Sequence, residues 1–283
     1  MAGERCEPGR AAAATADRAT FRSGSGDRYR PAVAPGTGTS ITVYGRLAVL
    51  EALADAGVEV RQVLLDRTAR GAVADEVLAA AARRGVTVKR LAPEKITRIS
   101  GDGRHDQGVV ADIDAGGIEP LDTWLSRLGP GATTSVLVLD GVTNPANVGM
   151  IIRTAAGAGL SAVVVPEAGS PDIGPLVVRA SAGIALRASV LRCPTATAGV
   201  GALAAAGLVV HGLRATDAEV LFTAELPDRA AYVLGNESLG VSSGVADLVD
   251  RWLAIPLADG VESLNVASAA AVVAFEVARR RLP

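Results

Sequence analysis

Apolar residues follow two alternating patterns along the chain, and these patterns divide it into two α/β regions. In the first region, residues 44–56 have apolar side chains at helical spacing and stop at Gly57, whereas residues 60–65 are typical of a strand. The pattern predicts helices over 44–56, 72–84 and from Pro93 onward, and strands over 60–65, 86–88 and 107–113. Because helices and strands alternate, we predict a small α/β domain over residues 41–114.

The second region, residues 133–283, repeats this alternation on a larger scale. The predicted strands are 136–140, 162–165, 188–191, 208–211, 231–234 and 252–255, and the predicted helices are 148–158, 173–183, 198–206 and 264–281. The strands are short continuous apolar runs, which are typical of parallel strands buried on both faces. We therefore predict a mostly parallel sheet with helices on both faces.

The segments outside these two regions lack the periodicity. Residues 1–40 are rich in Ala, Gly, Arg, Ser and Pro, which predicts a disordered tail. Residues 115–132 contain the turn-forming sequences GG and GPG. They predict a linker whose short amphipathic stretch around Trp124 packs on one of the domains.

The composition limits the chemistry and the compartment. Of 283 residues, 49% are hydrophobic and 3% aromatic, so the core consists mainly of Ala, Val and Leu. Cys6 and Cys193, and likewise His105 and His211, are far apart and lack metal-site spacing, so we expect no metal. The chain has neither a run of 18 apolar residues nor an apolar N-terminal segment, so we expect no membrane span, no secretory signal and a reducing cytoplasm.

The charge distribution leaves two interpretations open. A net charge of −2 argues mildly against a nucleic-acid-binding protein, but residues 83–104 hold seven basic and two acidic side chains. Such a segment either contacts phosphates or forms a solvated helix face. The candidate RNA-binding residues in and beside it are Arg84, Arg90, Lys95, Arg104 and His105. His105 lies in a glycine-rich loop, where a plain loop position is an equal alternative.

Three polar motifs each follow a predicted strand: NPANVGMIIR at 144–153, GNESLG at 235–240 and IPLADGVESLNVAS at 255–268. Ligand sites in open α/β sheets form at the carboxyl ends of strands, so we expect the motifs to contribute to one site. Each motif also has a structural interpretation, such as an asparagine that closes a turn, an arginine that extends along the surface, or Ser263 as the cap of the last helix.

A fourth pattern, GAGLSA at residues 157–162, fits the G-x-G-x-x-A sequence of dinucleotide sites. That fingerprint requires a strand before it and a helix after it, whereas here a predicted helix precedes and a strand follows. We therefore interpret the glycines as a helix end and a tight turn. The chain also lacks a G-x-x-x-x-G-K-[ST] segment, so its sequence does not support ATP hydrolysis.

The three motifs, in this order, resemble the SpoU (TrmH) family of RNA ribose 2′-O-methyltransferases in the SPOUT superfamily. The resemblance covers residues 133–283, with Ser238 where many members have glycine. The sequences YGRLAVLEAL at 44–53 and HDQGVVA at 105–111 resemble the substrate-binding domain of members that act on ribosomal RNA, a domain similar to a small ribosomal-protein fold. The resemblance implies a trefoil knot, a homodimer that buries the last helix, S-adenosyl-L-methionine as cofactor, and structured RNA as substrate, with 23S ribosomal RNA favoured.

The resemblance also assigns roles to individual positions. The implied catalytic residues are Asn147, Arg153, Glu237, Ser263 and Asn265. The implied cofactor-binding residues are Leu234, Gly235, Asn236, Gly240, Ile255, Leu257, Leu264 and Asn265. Whether Arg153 acts as a base or orients the RNA stays open, because a guanidinium normally remains protonated. The alternatives are a tRNA methyltransferase of the same family and a catalytically silent RNA-binding ribosome-assembly factor.

Overall fold

Two β-sheets organise the residues that the computed structural model describes, which are 39–259 and 261–282. One sheet has four strands and the other has eight. The tail predicted for residues 1–40 lies outside the described residues up to position 38. Its predicted boundary is too late, because the first strand begins at Thr39.

The small sheet belongs to the region predicted as an α/β domain. Its elements are β1 (Thr39–Tyr44), α1 (Arg46–Ala54), β2 (Glu59–Asp66), α2 (Ala72–Arg84), β3 (Val88–Leu91), α3 (Pro93–Ser100) and β4 (Val109–Ala115). β4 pairs antiparallel with both β1 and β2, and β3 joins β2 in parallel. The helix predicted from residue 44 begins later because Tyr44 ends a strand and Gly45 adopts a φ of 87°. The strand predicted at 86–88 lies instead at β3.

The large sheet is parallel throughout its pairings, which confirms the prediction. Its elements are β5 (Ile118–Pro120), α4 (Leu121–Ser126), β6 (Thr134–Leu139), α5 (Pro145–Gly157), β7 (Ala162–Val164), α6 (Pro175–Ala180), a 3₁₀ turn (Ile184–Leu186), β8 (Val190–Arg192), α7 (Ala196–Ala205), β9 (Val209–Leu213), β10 (Glu219–Val220), β11 (Arg229–Leu234), α8 (Ser243–Ala246), β12 (Arg251–Ala254) and α9 (Val266–Arg280). The strand order is β10-β12-β9-β11-β6-β7-β8-β5.

Helices cover both faces of this sheet, as the apolar runs predict. Side chains alternate between faces along a strand. On β6, Leu137 and Leu139 belong to the cluster that contains apolar residues of α5 and α9, whereas Val136 and Val138 belong to the cluster that contains those of α7. Both clusters are built almost entirely from aliphatic side chains.

The linker predicted over residues 115–132 is partly built into the large sheet. β5 pairs in parallel with β8 and forms one edge, and Trp124 on α4 is buried with residues of α7. Gly117 permits this pairing, since a Cβ there would lie 2.2 Å from the carbonyl oxygen of Ala188. Similarly, the helix predicted over 173–183 divides into the shorter α6 and the 3₁₀ turn, while β10 and α8 have no counterpart in the sequence prediction.

The small sheet and its helices dock on α6 and the turn that follows it. Val178 and Leu186 belong to the same buried apolar cluster as Val49 and Leu53 of α1. Arg187 also pairs with Asp55, with 3.4 Å between Nε and Oδ2. α6 in turn packs on α5, the helix that begins in the first polar motif. Among the described residues, no helix has both the length and the hydropathy that crossing a bilayer requires.

Candidate active site

The three polar motifs meet at the carboxyl ends of the strands in the large sheet, as their positions after strands predict. β6 and β11 are neighbours, and β9 separates β11 from β12. A cavity of about 200 Å³, open to solvent, lies between the last two motifs and the start of α9. Its lining residues are Leu213, Arg214, Ala215, Leu234, Gly235, Asn236, Glu237, Gly240, Leu253, Ile255, Leu257, Glu262, Ser263, Leu264, Val266 and Ala269.

One residue from each motif joins a hydrogen-bonded cluster, which we call the amide–carboxylate cluster: Asn147, Glu237 and Asn265. Glu237 Oε1 accepts a hydrogen bond from Asn147 Nδ2 and another from Asn265 Nδ2, both at 2.9 Å. Asn265 Nδ2 also donates to Asn147 Oδ1 at 3.2 Å. Asn147 is buried, whereas Glu237 is exposed beside the cavity. Residues 147, 237 and 265 are far apart in the chain, so only the fold brings them together.

The start of α9 determines how the Asn265 amide is oriented. Asn265 is the N-cap of α9, and its Oδ1 accepts from the backbone N–H groups of Ala267 and Ser268. Its Nδ2 must therefore face Glu237. This geometry contradicts the structural interpretation of Ser263 as the cap, since Ser263 lies before the helix and lines the cavity.

Glu237 stands on a tight loop whose backbone closes on itself. Asn236 and Gly240 exchange two backbone hydrogen bonds of 2.9 and 2.8 Å. The sequence interpretation of Gly235 as a place where a ligand approaches the backbone needs correction. A Cβ at Gly235 would lie 2.3 Å from the carbonyl carbon of Gly240 and 2.4 Å from the nitrogen of Val241, so the chain itself occupies that space.

Side chains also fasten this loop to the end of β6. Asn236 Nδ2 donates to the carbonyl oxygen of Gly141 at 2.8 Å, and Asp140 Oδ2 accepts from the Ser242 N–H at 2.6 Å. Asn236 Oδ1 accepts from the backbone N–H groups of Ser238 and Leu239. These bonds hold the loop, and with it Glu237, in place.

The first motif uses its residues in three ways. Asn144 caps α5, since its side chain accepts from the Ala146 N–H at 2.9 Å, which agrees with the interpretation of a turn-closing asparagine. Gly149 allows α6 to approach, because a Cβ there would lie 2.5 Å from the Val177 carbonyl oxygen. Arg153 lies six residues after Asn147, about 9 Å along the helix axis. Its side chain is exposed and forms no hydrogen bond or ion pair with a described residue, so the fold does not place it in the amide–carboxylate cluster.

Seven of the eight predicted cofactor residues line the cavity, and the eighth, Asn265, contacts the lining residue Glu237. The sequence analysis missed the contribution of the end of β9, which supplies Leu213, Arg214 and Ala215. The predicted strand over 208–211 was the available signal. It was not sufficient because the position of β9 between β12 and β11 depends on strand order, which hydropathy does not report.

The cavity fits S-adenosyl-L-methionine, the cofactor that the resemblance implies. Aliphatic side chains from β9, β11, β12 and the third motif form an apolar wall suited to adenine. Two carboxylates, Glu237 and Glu262, line the space and suit the cationic sulfonium and ammonium groups. Arg214 does not cancel both charges, because its guanidinium stacks on Trp252, 4.7 Å from the ring centroid, and donates to the Asp217 carbonyl.

The candidate RNA-binding residues have different surroundings. The Arg84 guanidinium donates to the carbonyl oxygens of Asp55 and Val58 at 2.7 Å each, so it holds the turn after α1 and is not free for phosphate. Arg90 is exposed, with long contacts of 3.4 and 3.3 Å to two carbonyl oxygens. Lys95 and Arg104 are exposed as well. The structure thus corrects the assignment of Arg84, and the other positions stay candidates.

His105, the last of these candidates, is held at the surface by a carboxylate. Its Nδ1 lies 2.8 Å from Asp102 Oδ2, which also accepts from Tyr44 Oη at 3.3 Å. The hydrogen bond to His105 lowers the pKa of Asp102, while burial and the nearby Asp102 charge raise the pKa of Tyr44. Within the part of the chain that the structure describes, no group of three metal-ligating side chains occurs.

Comparison with known proteins places this geometry in a family. A model of the SpoU rRNA methylase family matches residues 134–275, and a model of RNA 2′-O ribose methyltransferase substrate binding matches residues 42–116. The protein named 23S rRNA (guanosine-2′-O-)-methyltransferase RlmB of Xylella fastidiosa is 31% identical over 240 residues, which cover 84% of this chain and 96% of that protein. An uncharacterized tRNA/rRNA methyltransferase of Mycolicibacterium vanbaalenii is 33% identical over 84% of this chain and 76% of its own length.

The fold agrees with these sequence matches. The structure of the SpoU methyltransferase AviRb from Streptomyces viridochromogenes, in complex with AdoMet, superposes with a TM-score of 0.67 at 26% identity. That alignment covers 86% of this chain and 90% of AviRb. This chain belongs to the SpoU family of RNA ribose methyltransferases.

Proposed function

We propose that this protein transfers a methyl group from S-adenosyl-L-methionine to a ribose 2′-hydroxyl of 23S ribosomal RNA. The observation that carries the proposal is the amide–carboxylate cluster of Asn147, Glu237 and Asn265 beside a cavity suited to the cofactor. The relatives named as 23S ribosomal RNA enzymes match most of this chain, whereas the tRNA alternative has less support. The intact cluster also argues against a catalytically silent assembly factor.

Each part of the site has a role in this proposal. The sulfonium of the cofactor supplies an electrophilic methyl group. The apolar wall and the loop of Gly235 to Gly240 hold the adenosine of the cofactor. The amide–carboxylate cluster and Ser263 face the reacting ribose of the RNA. Arg153 binds the RNA phosphate beside the reacting ribose, since its guanidinium is exposed and has free donors. Catalysis then depends on alignment of the hydroxyl with the methyl group.

The small domain, residues 41–114, is proposed to bind structured RNA, and residues 133–283 to perform the transfer. The exposed side chains of Arg90, Lys95, Arg104 and His105 support an RNA-contacting role, because basic groups neutralise phosphates. Docking of the small domain on α6, which packs against α5, supports a fixed distance between RNA recognition and the active site. Ribosomal RNA as substrate would place the protein in the cytoplasm.

We include a homodimer and the family's trefoil knot in the proposal. Large apolar side chains are exposed on the packed helices α5 and α9: Met150 at 41% and Phe275 at 55%. Arg153 lies one turn from Met150 on the same face of α5, so a second copy that covers Met150 and Phe275 would lie beside Arg153. Contacts of α9 with both α5 and β11 are consistent with a knotted C-terminal segment.

The test is methyl transfer from methyl-labelled S-adenosyl-L-methionine to ribosomal RNA and to tRNA. We expect label at a ribose 2′-oxygen of 23S ribosomal RNA, and much less label at the same RNA concentration in Arg153→Ala. Arg179→Ala, which changes an exposed arginine on α6, is the matched control and should retain transfer. Label in tRNA alone would mean that the substrate is tRNA and not 23S ribosomal RNA. Cofactor binding without transfer to either RNA or to ribosomal particles would favour the silent assembly factor.

A further inference from the structure

We infer that Glu237 Oε2 accepts the proton of the ribose 2′-hydroxyl during methyl transfer, while Arg153 stays protonated and holds the phosphate. The inference rests on the proposed function and assigns the proton acceptor within that site. Methyl transfer to a hydroxyl requires a group that removes the proton as the oxygen attacks. In the amide–carboxylate cluster, that group is the Glu237 carboxylate. Hydrogen bonds hold its Oε1, whereas its Oε2 has no hydrogen-bond partner among the described residues.

The orientation of Glu237 follows from a chain of hydrogen bonds that starts in α9. Because the backbone N–H groups of Ala267 and Ser268 occupy Asn265 Oδ1, only Nδ2 of Asn265 faces the cluster. That Nδ2 also donates to Asn147 Oδ1, so the Asn147 amide must turn its own Nδ2 toward Glu237. Two donors thus converge on Glu237 Oε1.

The second oxygen of Glu237 remains available. Oε2 forms no hydrogen bond with a described residue, and the side chain is exposed where it lines the cavity. The loop beneath it is clamped by the backbone bonds between Asn236 and Gly240 and by the Asn236 bond to Gly141. Two amides thus hold one oxygen of this carboxylate, a closed loop holds its backbone, and the other oxygen is left to accept a proton.

Arg153 does not meet the same requirement. A guanidinium normally remains protonated and carries five donors but no acceptor. Its exposed position, about 9 Å along α5 from Asn147, suits a phosphate, which accepts hydrogen bonds, and does not suit a hydroxyl proton. The remaining carboxylate of the cavity, Glu262, forms no hydrogen bond with either asparagine of the cluster, so no hydrogen bond of the cluster orients it.

The reaction balances with these groups. The ribose oxygen forms a bond to the methyl carbon as the carbon–sulfur bond breaks, and the electron pair of that bond stays on sulfur to give a neutral thioether. The proton moves from the 2′-oxygen to Glu237 Oε2. Because Glu237 is exposed, the proton then passes to solvent and the carboxylate is restored.

Glu237→Gln is the first test, because it changes the acceptor and preserves the cluster. The glutamine oxygen can accept both asparagine amides, while its nitrogen replaces Oε2 by a donor that takes no proton. We expect kcat to fall by about 100- to 10,000-fold, with the KM for RNA and the Kd for S-adenosylhomocysteine within about threefold of wild type. Calorimetry gives the Kd without turnover, and Glu225→Gln, on an exposed carboxylate away from the cavity, should match wild type.

Chemical rescue separates proton transfer from positioning. We expect formate or acetate to restore part of the lost kcat in Glu237→Ala at constant ionic strength, whereas chloride restores none. Arg153→Ala should instead raise the KM for RNA, and formate should not rescue it. Three results would each overturn the inference. They are a wild-type kcat in Glu237→Gln, a fall in kcat in Glu262→Gln alone, and absence of rescue by any small carboxylate. Failure of the wild-type protein to label any RNA would instead overturn the proposed function.

Discussion

Two groups of polar residues in the large sheet contrast with each other. In the amide–carboxylate cluster at the carboxyl edge, every asparagine donor and acceptor that faces the cluster has a partner. In the middle of the same sheet, His211 on β9 and Tyr232 on β11 face each other in register, fully buried and stacked with 5.2 Å between ring centroids. Neither ring nitrogen of His211 nor the Tyr232 hydroxyl reaches hydrogen-bond geometry with a described residue.

The difference shows how position along a strand decides what a polar residue does. At the strand ends, loops and a helix N-terminus supply donors and acceptors from several directions. In the interior of a parallel sheet, the backbone groups are paired with neighbouring strands, and the covering residues are aliphatic. Burial therefore raises the pKa of Tyr232 to about 12 and lowers the pKa of His211, so both stay neutral near pH 7.

The largest expected effect comes from breaking the loop that holds Glu237. In Gly235→Ala, the new Cβ would overlap the backbone of Gly240 and Val241, and the overlap should cost about 1–3 kcal/mol of stability. We expect S-adenosylhomocysteine binding, measured by calorimetry, to weaken by at least about 100-fold, because the loop lines the cavity. Gly157→Ala is the matched control, since a Cβ there meets no atom within 4 Å. Normal binding by Gly235→Ala would contradict the close approach.

A pair of substitutions at Asn265 separates the cap from the cluster. Asn265→Asp keeps an oxygen for the Ala267 and Ser268 N–H groups but replaces the donor to Glu237 by an acceptor. We expect methylation to fall about 100-fold while the unfolding midpoint stays near wild type, because the helix cap is retained. Asn265→Ala should also lose about 1 kcal/mol of stability in urea unfolding. If Asn265→Asp were as active as wild type, the donor from Asn265 to Glu237 would have no role in catalysis.

The buried histidine predicts a smaller, pH-dependent effect on stability. The folded-state pKa of His211 is lowered, mainly by burial, so below about pH 6.5 the unfolded chain binds a proton that the folded protein does not. Folding stability contributed at this position is therefore lost as pH falls through the ordinary histidine range. In His211→Phe, thermal unfolding should show a smaller decrease in Tm between pH 7.5 and 5.5 than in wild type. An unchanged decrease would mean that other groups cause it.

The smallest effect is expected at Tyr232. Its hydroxyl has no partner in hydrogen-bond geometry, and the nearby Ser135 hydroxyl accepts from Arg281. Tyr232→Phe keeps the stacked ring and removes an unsatisfied group, so urea unfolding should change by less than about 0.5 kcal/mol or show a small gain. A loss above about 2 kcal/mol would indicate that the hydroxyl has a hydrogen-bond partner after all.

Part of the active site could be predicted from the sequence. The motifs that contain Asn147, Glu237 and Asn265 each follow an apolar run, and carboxyl ends of parallel strands share one edge, so their meeting follows from pattern and chain direction. The glycines of the motifs could also be identified from the sequence, but the reason why each position requires a glycine could not. Gly235 makes room for its own loop and Gly149 for helix α6, because steric contact depends on which elements cross.

The sequence by itself determined the two α/β regions, the parallel large sheet and the three motifs of the site, because hydrophobic periodicity and turn residues act over short distances along the chain. The tertiary structure alone decided that β5 completes the large sheet, that β9 contributes to the cavity, that Arg84 supports a turn and that Asn265 caps α9. The physical reason is that strand order, steric overlap and hydrogen-bond direction depend on residues that are distant in the chain and become neighbours only after folding.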